Sequence, residues 1–261
     1  MKLLHKVMVF LAGFTLLFFL LRTTEHFNNH ILMDEIEELA GVPWLYSVIG
    51  LIFSILAAFV IQTEWEHYSR LAGSVKEEVG ALEQLWHWSF HFPPEIRGRT
   101  HQAIRDYLAR TIHEGLQQSA RDGADDVDEP ALTALRDTVF ALAPTPEVMF
   151  AAFAIFTDLV KHHESRLHYA SSHVPSILRH TILFGASLII LFSFFIGVKN
   201  VWLDYLFSGG LALLTFLVYL VMDDLDQPLR PGIWQLTTKD HQRLLRAVEA
   251  GAASRTTADR T

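Results

Sequence analysis

Four stretches of the sequence are both long and largely apolar, and they restrict the chain to folds that suit a lipid bilayer. They cover about residues 3–21, 42–62, 177–198 and 206–222, and none has a charged residue near its centre. A helix of about 17–22 residues crosses roughly 30 Å of hydrocarbon, and each stretch has that length. Four such helices would form most of the core of a 261-residue chain, so a large soluble enzyme is a poor alternative.

The second apolar stretch begins one long predicted helix, from about residue 42 to residue 90. Every third or fourth residue falls on one stripe of this helix, and before Gln62 the stripe is made of small residues. Small residues let helices approach closely in lipid, so helix packing is the favoured interpretation and pore lining the alternative. The predicted packing or pore seam is Ser47, Gly50, Ser54, Ala58, Ile61, Trp65 and Tyr68. After Gln62 the other faces are charged and are expected to face water, while the stripe becomes the apolar side. The charged residues are Glu64, Glu66, Arg70, Lys76, Glu77, Glu78 and Glu83.

Residues 63–176 are predicted to form a helical insert with a strong acidic excess. The insert has 17 acidic against 10 basic residues and so carries a net charge of −7, which disfavours nucleic-acid binding. Prolines divide it into helices, and no segment shows the period-two alternation of a strand. The sequence therefore predicts an all-α chain: transmembrane helices 1 and 2 in 1–62, a cytoplasmic helical bundle in 63–176, transmembrane helices 3 and 4 in 177–222, and a cytoplasmic tail, 223–261, with a disordered end.

The distribution of basic residues predicts the orientation of the chain. The loop 22–41 has five acidic residues and one basic residue, whereas basic residues lie near both termini and in the insert. By the positive-inside rule, both termini are expected in the cytoplasm of a multi-pass protein of the bacterial inner (plasma) membrane. A signal peptide is the alternative for residues 1–21, but no small-x-small cleavage pattern follows them.

Sequence motifs give little support for catalysis or metal binding. The chain has no cysteine, no Gly-x-Ser-x-Gly elbow and no phosphate-binding loop, so we expect neither an enzyme nor a cofactor. His87 and His91 have the helical i, i+4 spacing of metal ligands, but no third ligand accompanies them. The acidic segment 122–129 lacks the ligand order of a calcium loop. We therefore predict no metal site at either place.

A cluster of acids follows the fourth apolar stretch. Asp223, Asp224 and Asp226 repel one another unless a cation or backbone N–H groups compensate, and Pro228 prevents the helix from continuing. Basic residues near the membrane boundary are predicted to reach this cytoplasmic turn, and we expect Asp226 to hold it through backbone N–H groups and an arginine. The arginines considered are Arg166, Arg179 and Arg230. Calcium is the alternative compensating charge.

Several short motifs resemble the bacterial bestrophin-like domain family. They are Leu225-Asp226-Gln227-Pro228 with Pro231-Gly232, Trp65 with Tyr68, the pair Arg166-Leu167, and Pro175. The resemblance covers roughly residues 40–240, although Leu229 replaces the usual aromatic residue and Arg230-Pro231 precedes the glycine. It implies two pairs of membrane helices around a helical insert, and a relation to oligomeric anion channels. The three aspartates also lie where bestrophins carry a calcium clasp.

Two functional hypotheses follow from the resemblance and from the absence of a catalytic motif. The first is a homo-oligomeric channel in the lipid bilayer that conducts inorganic ions. The second is a non-conducting membrane scaffold or regulatory protein. His180, near one end of the third span, is the intramembrane candidate for taking up a proton, and no charged residue lies near the centre of a span, so transport that is coupled to protons is disfavoured.

Overall fold

The computed structural model describes residues 2–27, 42–122, 130–143, 145–172, 175–193 and 200–258. Within these ranges there is no strand, so the predicted all-α class is confirmed for the described residues. The helices in chain order are α1 (Lys2–Phe27), α2 (Val42–Trp88), α3 (Pro94–Asp122), α4 (Pro130–Phe140), α5 (Pro146–Ser171), α6 (Ser176–Ser193), α7 (Val201–Leu225) and α8 (Lys239–Ala258). A 3-10 turn, Ser89–His91, lies between α2 and α3.

The helices form two compact units. The first unit contains Met1–Trp65 and Val174–Asp226, and the second contains Glu66–His173 and Gln227–Thr261. Helix α2 is 47 residues long and contributes to both units, because its first part is apolar and its second part is charged on the outer faces.

The first unit contains the apolar helices. By length and composition, three helical segments of the described residues are able to cross a membrane: Leu4–Thr23, Trp44–His91 and Val201–Leu225. The apolar segment Ile177–Ser193 is shorter, and residues 194–199 of the third predicted span lie outside the described residues. At the start of α7, the Asn200 side chain accepts a hydrogen bond from the Trp202 N–H at 3.0 Å and so caps the helix.

Aromatic and small side chains pack the helices of the first unit together. Phe14 and Phe18 of α1 are buried against Ala212 of α7. Gly185 of α6 allows a close approach of α2, because a Cβ atom at this position would lie 2.9 Å from the Phe53 ring. The buried residues of the α2, α6 and α7 cluster are Ala57, Val60, Ile182 and Met222.

The second unit is a helical bundle around the charged half of α2. Leu82 and Leu85 of α2 are fully buried in one continuous apolar core. The partners from the other helices include Ile104 and Leu108 of α3, Leu135 and Val139 of α4, Leu159 of α5, and Leu244 and Val248 of α8. Helix α3 changes direction at Gly115, whose φ of 72° is a conformation that glycine adopts without steric cost.

Three features differ from the sequence-based expectation. Glu64 and Glu78 were expected to face water, but they are only 2% and 0% exposed. The tail contains helix α8, Lys239–Ala258, which the sequence analysis did not predict, and the disordered end stays a prediction. Helix α8 forms because Leu244 and Val248 give it an apolar face that the bundle buries.

Candidate functional site

The predicted packing or pore seam lies on the outside of the first unit. Ser47, Ser54 and Ala58 are exposed, and Gly50 and Ile61 are partly exposed. The face of α2 that packs within the chain is the neighbouring one, which carries Phe53, Ala57 and Val60. The structure therefore does not bury the seam inside one subunit.

The polar groups of the seam are compatible with an apolar environment. The Ser54 hydroxyl donates a hydrogen bond to the Gly50 carbonyl of the preceding turn at 2.8 Å. This bond satisfies the only donor of the side chain and leaves its lone pairs on the outer surface. Trp65 continues the seam as an exposed side chain, and Tyr68, which belongs to the second unit, is partly buried.

Large apolar side chains stand beside the seam on the exposed side of α2. Leu51 is 63% exposed and Ile55 is 62% exposed. The two residues are four apart and so lie one above the other along the helix. The exposed surface of α2 thus combines a narrow stripe of small and hydroxyl side chains with a wider apolar one.

An arginine compensates the acidic turn at the end of α7. Arg179 of α6 donates a hydrogen bond from Nη2 to Oδ2 of Asp226, and Asp226 is almost fully buried. The Asp226 N–H bonds the Met222 carbonyl at 3.0 Å, which closes the last turn of α7. The structure thus places Arg179 where the sequence suggested a partner for Asp226. Asp223 pairs with Lys6 of α1 at 3.7 Å.

A further carboxyl group belongs to the same cluster. Glu64 of α2 interacts electrostatically with both Asp226 and Arg179. Its Oε2 atom is shielded from solvent and has no hydrogen-bond partner among the described residues. In the first unit, the buried carboxyl groups of Glu64 and Asp226 therefore share the guanidinium group of Arg179. Sequence reasoning missed Glu64 because the residue stands just after the last apolar turn of the span.

Arg166 lies in the second unit, where it forms a buried ion pair. Its Nε atom donates to Oε2 of Glu78 at 2.5 Å, and the side chain is only 1% exposed. Tyr107 donates its hydroxyl hydrogen to Oε1 of Glu78 and lies 2.7 Å from Nδ1 of His163. These four side chains come from α2, α3 and α5 and form one polar network inside an apolar core.

Burial alone would raise the pKa of Glu78, because a carboxylate loses its hydration in the core. The Arg166 guanidinium, with hydrogen bonds from His163 and Tyr107, outweighs this cost and lowers the pKa to about 2. The carboxylate also holds the Arg166 pKa above its ordinary value. Sequence spacing contained a signal for this site: Glu78 falls on the helical stripe Leu71, Val75, Leu82 and Leu85, which the core buries.

Another ion pair joins α1 and α7 at the ends of these helices that lie opposite to Lys6 and Asp223. Arg22 of α1 contacts Asp204 of α7 at 3.7 Å between Nη1 and Oδ2. Asp204 is in the first turn of α7, where the helix N-terminus favours a negative charge. Together with the Lys6–Asp223 pair, this contact joins α1 and α7 near both of their ends.

The histidines do not form a metal site in the described part of the chain. No group of three or more metal-binding side chains lies together among the residues that the structure describes. His87 and His91 are exposed, on α2 and on the 3-10 turn respectively, and His162 contacts Glu77 at 3.0 Å. The acidic segment 122–129 lies outside the described residues from position 123 onward.

Comparison with known proteins identifies relatives by family and by fold. A family model described as the bestrophin-like domain matches residues 9–233. No curated protein matches the sequence. A variant of a bacterial bestrophin homologue from Klebsiella pneumoniae has a TM-score of 0.74 at 12% identity, over 93% of this chain and 99% of that chain. A second variant has a TM-score of 0.71 at 13% identity, over 94% and 96%.

The structure of such a homologue that was phased with zinc has a TM-score of 0.69 at 10% identity. That alignment covers 94% of this chain and 97% of the other. Identities this low establish the fold alone.

Proposed function

The chain belongs to the bestrophin-like family, and from this premise we propose that it is an oligomeric ion channel of a bacterial inner membrane. Four helices, the predicted spans within α1, α2, α6 and α7, cross the bilayer in each subunit. Both termini and the helical bundle of the second unit lie in the cytoplasm. Several subunits associate around a common axis, and inorganic ions pass along it.

The exposed seam of α2 is the observation that carries the proposal. Residues such as Ser47, Ser54 and Ala58 gain little from contact with lipid chains, yet one subunit leaves them uncovered. An oligomer gives this surface either a neighbouring subunit or the conduction pathway. We assign the seam to the pathway, because the adjacent face with Ala57 and Val60 already provides the helix packing of α2.

Apolar side chains next to the seam form the narrow part of this pathway. Leu51 and Ile55 repeat in every subunit, so an oligomer forms two stacked apolar rings. An apolar constriction of this kind controls ion flow by losing or gaining water. The seam contains no charged side chain between Ser47 and Ile61, so it selects ions through pore width and dipoles rather than through fixed charge.

Conductance of the purified protein in planar bilayers tests the proposal. Because the chain has no cysteine, single cysteines can be placed on α2 without background reactivity. A charged thiol reagent should block the Ser54→Cys variant and leave the Leu56→Cys variant unaffected. Leu56 is the matched control because it is also exposed but lies on a different side of the helix from both Ser54 and the row of Leu51 and Ile55.

One result would contradict the channel, and another would contradict only the assignment of the seam to its pathway. Absence of conductance across several anions and cations favours the non-conducting scaffold or regulatory protein. Equal block of the two cysteine variants leaves the channel intact but removes the seam from the conduction pathway.

A further inference from the structure

His241 is a buried histidine in the first turn of α8, and its ring forms no hydrogen bond with the described residues. Its side chain is 0% exposed. Neither Nδ1 nor Nε2 has a hydrogen-bond partner among the described residues. Most buried polar groups in folded proteins are paired. Burial of an imidazole with two unpaired nitrogens therefore costs stability.

Helix α8 is held to the bundle by one face, and His241 lies on that face. Leu244 and Val248 follow it at helical spacing and are buried in the core of the second unit. Farther along the helix, a Cβ atom at Gly251 would lie 3.0 Å from the Trp86 ring, so the helix also contacts α2 closely. His241 thus occupies one position of an otherwise apolar contact surface.

Among the described residues, the charged groups that act on His241 include no buried carboxylate that is free to pair with it. Glu78 of α2 and Arg166 of α5 act on the imidazole from the bundle, and Asp240 acts from its own helix. Glu78 is already bound by Arg166 and by Tyr107 of α3, which also contacts His163 of α5. Burial lowers the pKa of His241, and the guanidinium of Arg166 lowers it further because it repels an imidazolium.

We propose that neutral His241 is a proton-sensitive latch that keeps α8 docked on the bundle, and that protonation of His241 releases the helix. A buried imidazolium without a counterion is strongly disfavoured, whereas undocking of α8 lets water hydrate the charge. The released helix exposes Leu244 and Val248, so the change also creates an apolar surface on the second unit. This inference concerns α8 alone and does not depend on ion conduction.

The direction of the pH effect follows from the two protonation states. The undocked histidine titrates near its ordinary value of about 6.5, and the docked one takes up its proton only at lower pH. The ratio of undocked to docked α8 is therefore independent of pH above about 6.5. Below it, the ratio of undocked to docked α8 rises by up to tenfold per pH unit, until the docked form is protonated as well.

Distance measurements between spin labels test the latch in the full chain. Cysteines that replace Gln84 of α2 and Ala247 of α8 carry the labels, since both residues are exposed and the natural chain has no cysteine. With an excess of unlabelled subunits, so that distances within one subunit dominate, we expect one narrow distance distribution at pH 8. Between pH 6.5 and pH 5 a second, longer and broader population should grow, and it should disappear when the pH is raised again.

Substitution of His241 shows whether the pH response comes from this residue or from another titrating group. His241→Phe keeps the bulk of the ring but cannot take up a proton, so its distance distribution should not change between pH 8 and pH 5. His113→Phe, an exposed histidine of α3, is the matched control and should respond like the parent protein. His241→Gln provides a second variant without a titrating group if the phenylalanine variant folds poorly. A parent distribution that is independent of pH, or a response that persists in both His241 variants, would overturn the proposal.

Discussion

The side chains of Glu78 and Arg166 are removed from water almost completely, so each depends on the other for compensation of its charge. A buried pair of this kind contributes less to stability than its short distance suggests, because both groups lose their hydration. Loss of one partner is costly, however, because it leaves an uncompensated charge in the core. The stability of a variant should therefore depend on pH differently when Arg166 is lost than when Glu78 is lost.

Removal of Arg166 should reverse the pH dependence that Glu78 contributes to the stability of the protein. In the parent protein the Glu78 pKa is lowered to about 2, so its contribution to stability is present above the ordinary value of 4.5 and lost as the pH falls below it. In Arg166→Met, burial raises the Glu78 pKa instead, so stability is lost as the pH rises. We expect a loss of about 3–5 kcal/mol at neutral pH that shrinks towards pH 5.

The variant Glu78→Gln is the matched control for this prediction. It leaves the Arg166 guanidinium buried, and that group cannot release its proton in the accessible range. The melting temperature in detergent should therefore be low in Glu78→Gln at every pH, whereas Arg166→Met should recover as the pH is lowered. Because Glu78 and Arg166 both act on His241, the two variants are compared in a His241→Phe background, which removes that titration. Parallel pH profiles of the two variants would show that Glu78 is not the group that takes up the proton.

The contact of Arg179 with Asp226 should be measurable by a double-mutant cycle. Asp226→Ala removes the acceptor, Arg179→Ala removes the donor, and the double variant removes both. Because Arg179 is about one-third exposed, we expect a coupling of about 1–2 kcal/mol rather than the full value of a buried charged bond. The melting temperature of Asp226→Ala should fall with or without calcium. A loss of stability that appears only in the presence of calcium would instead assign the turn to a calcium site.

At the level of helices, sequence spacing identifies which residues share a face but not which neighbour covers that face. Ser47, Ser54 and Ala58 form a regular stripe, yet Phe53, Ala57 and Val60 form an equally regular one that packs within the subunit. Helix ends were more predictable, because Pro94, Pro130 and Pro146 each begin a helix. The burial of α8 was not predictable, since its apolar stripe is short and contains a histidine.

Long-range partners are the other part that the sequence did not reveal. Glu78 and Arg166 are 88 residues apart in the chain, and no local pattern links them. Arg179 and Asp226 were easier to associate, because both stand at the same end of neighbouring apolar helices. The pair of Arg179 and Asp226 shows that a common position at a membrane boundary predicts a partner better than separation in the sequence does.

A change of side-chain size tests the role of the α2 seam. Ser54→Leu fills the stripe of small residues with a branched side chain, so it distinguishes pore lining from packing between subunits: a seam that packs against a neighbour loses assembly or melting temperature, and a seam that lines the pathway keeps both. Phe59→Leu is the control, because it replaces one exposed apolar side chain of the same helix by another. Size-exclusion chromatography in detergent with mass measurement gives the assembly state of each variant. We expect the two variants to assemble alike, and weaker assembly of Ser54→Leu alone would assign the seam to helix packing.

At the scale of the whole molecule, two ion pairs bracket the apolar part of α1 and α7. Lys6–Asp223 and Arg22–Asp204 are about 24 Å apart along α1 and about 28 Å apart along α7, at about 1.5 Å per residue. This separation is close to the roughly 30 Å thickness of the hydrocarbon core. The N-terminus and the tail then extend from the Lys6–Asp223 boundary, and the loop 22–41 begins at the opposite one.

The sides of the membrane can be assigned by reporter fusions. Because the loop 22–41 is acidic and the basic residues lie near both termini, the boundary at Lys6 and Asp223 should be the cytoplasmic one. A reporter that is active only outside the cytoplasm should be inactive after Met222 or within 121–129, and active near Asn28. A reporter that responds only in the cytoplasm, fused at the same positions, should give the inverse pattern. Activity of the first reporter after Met222 would reverse the orientation, and with it the compartment whose pH the His241 latch senses.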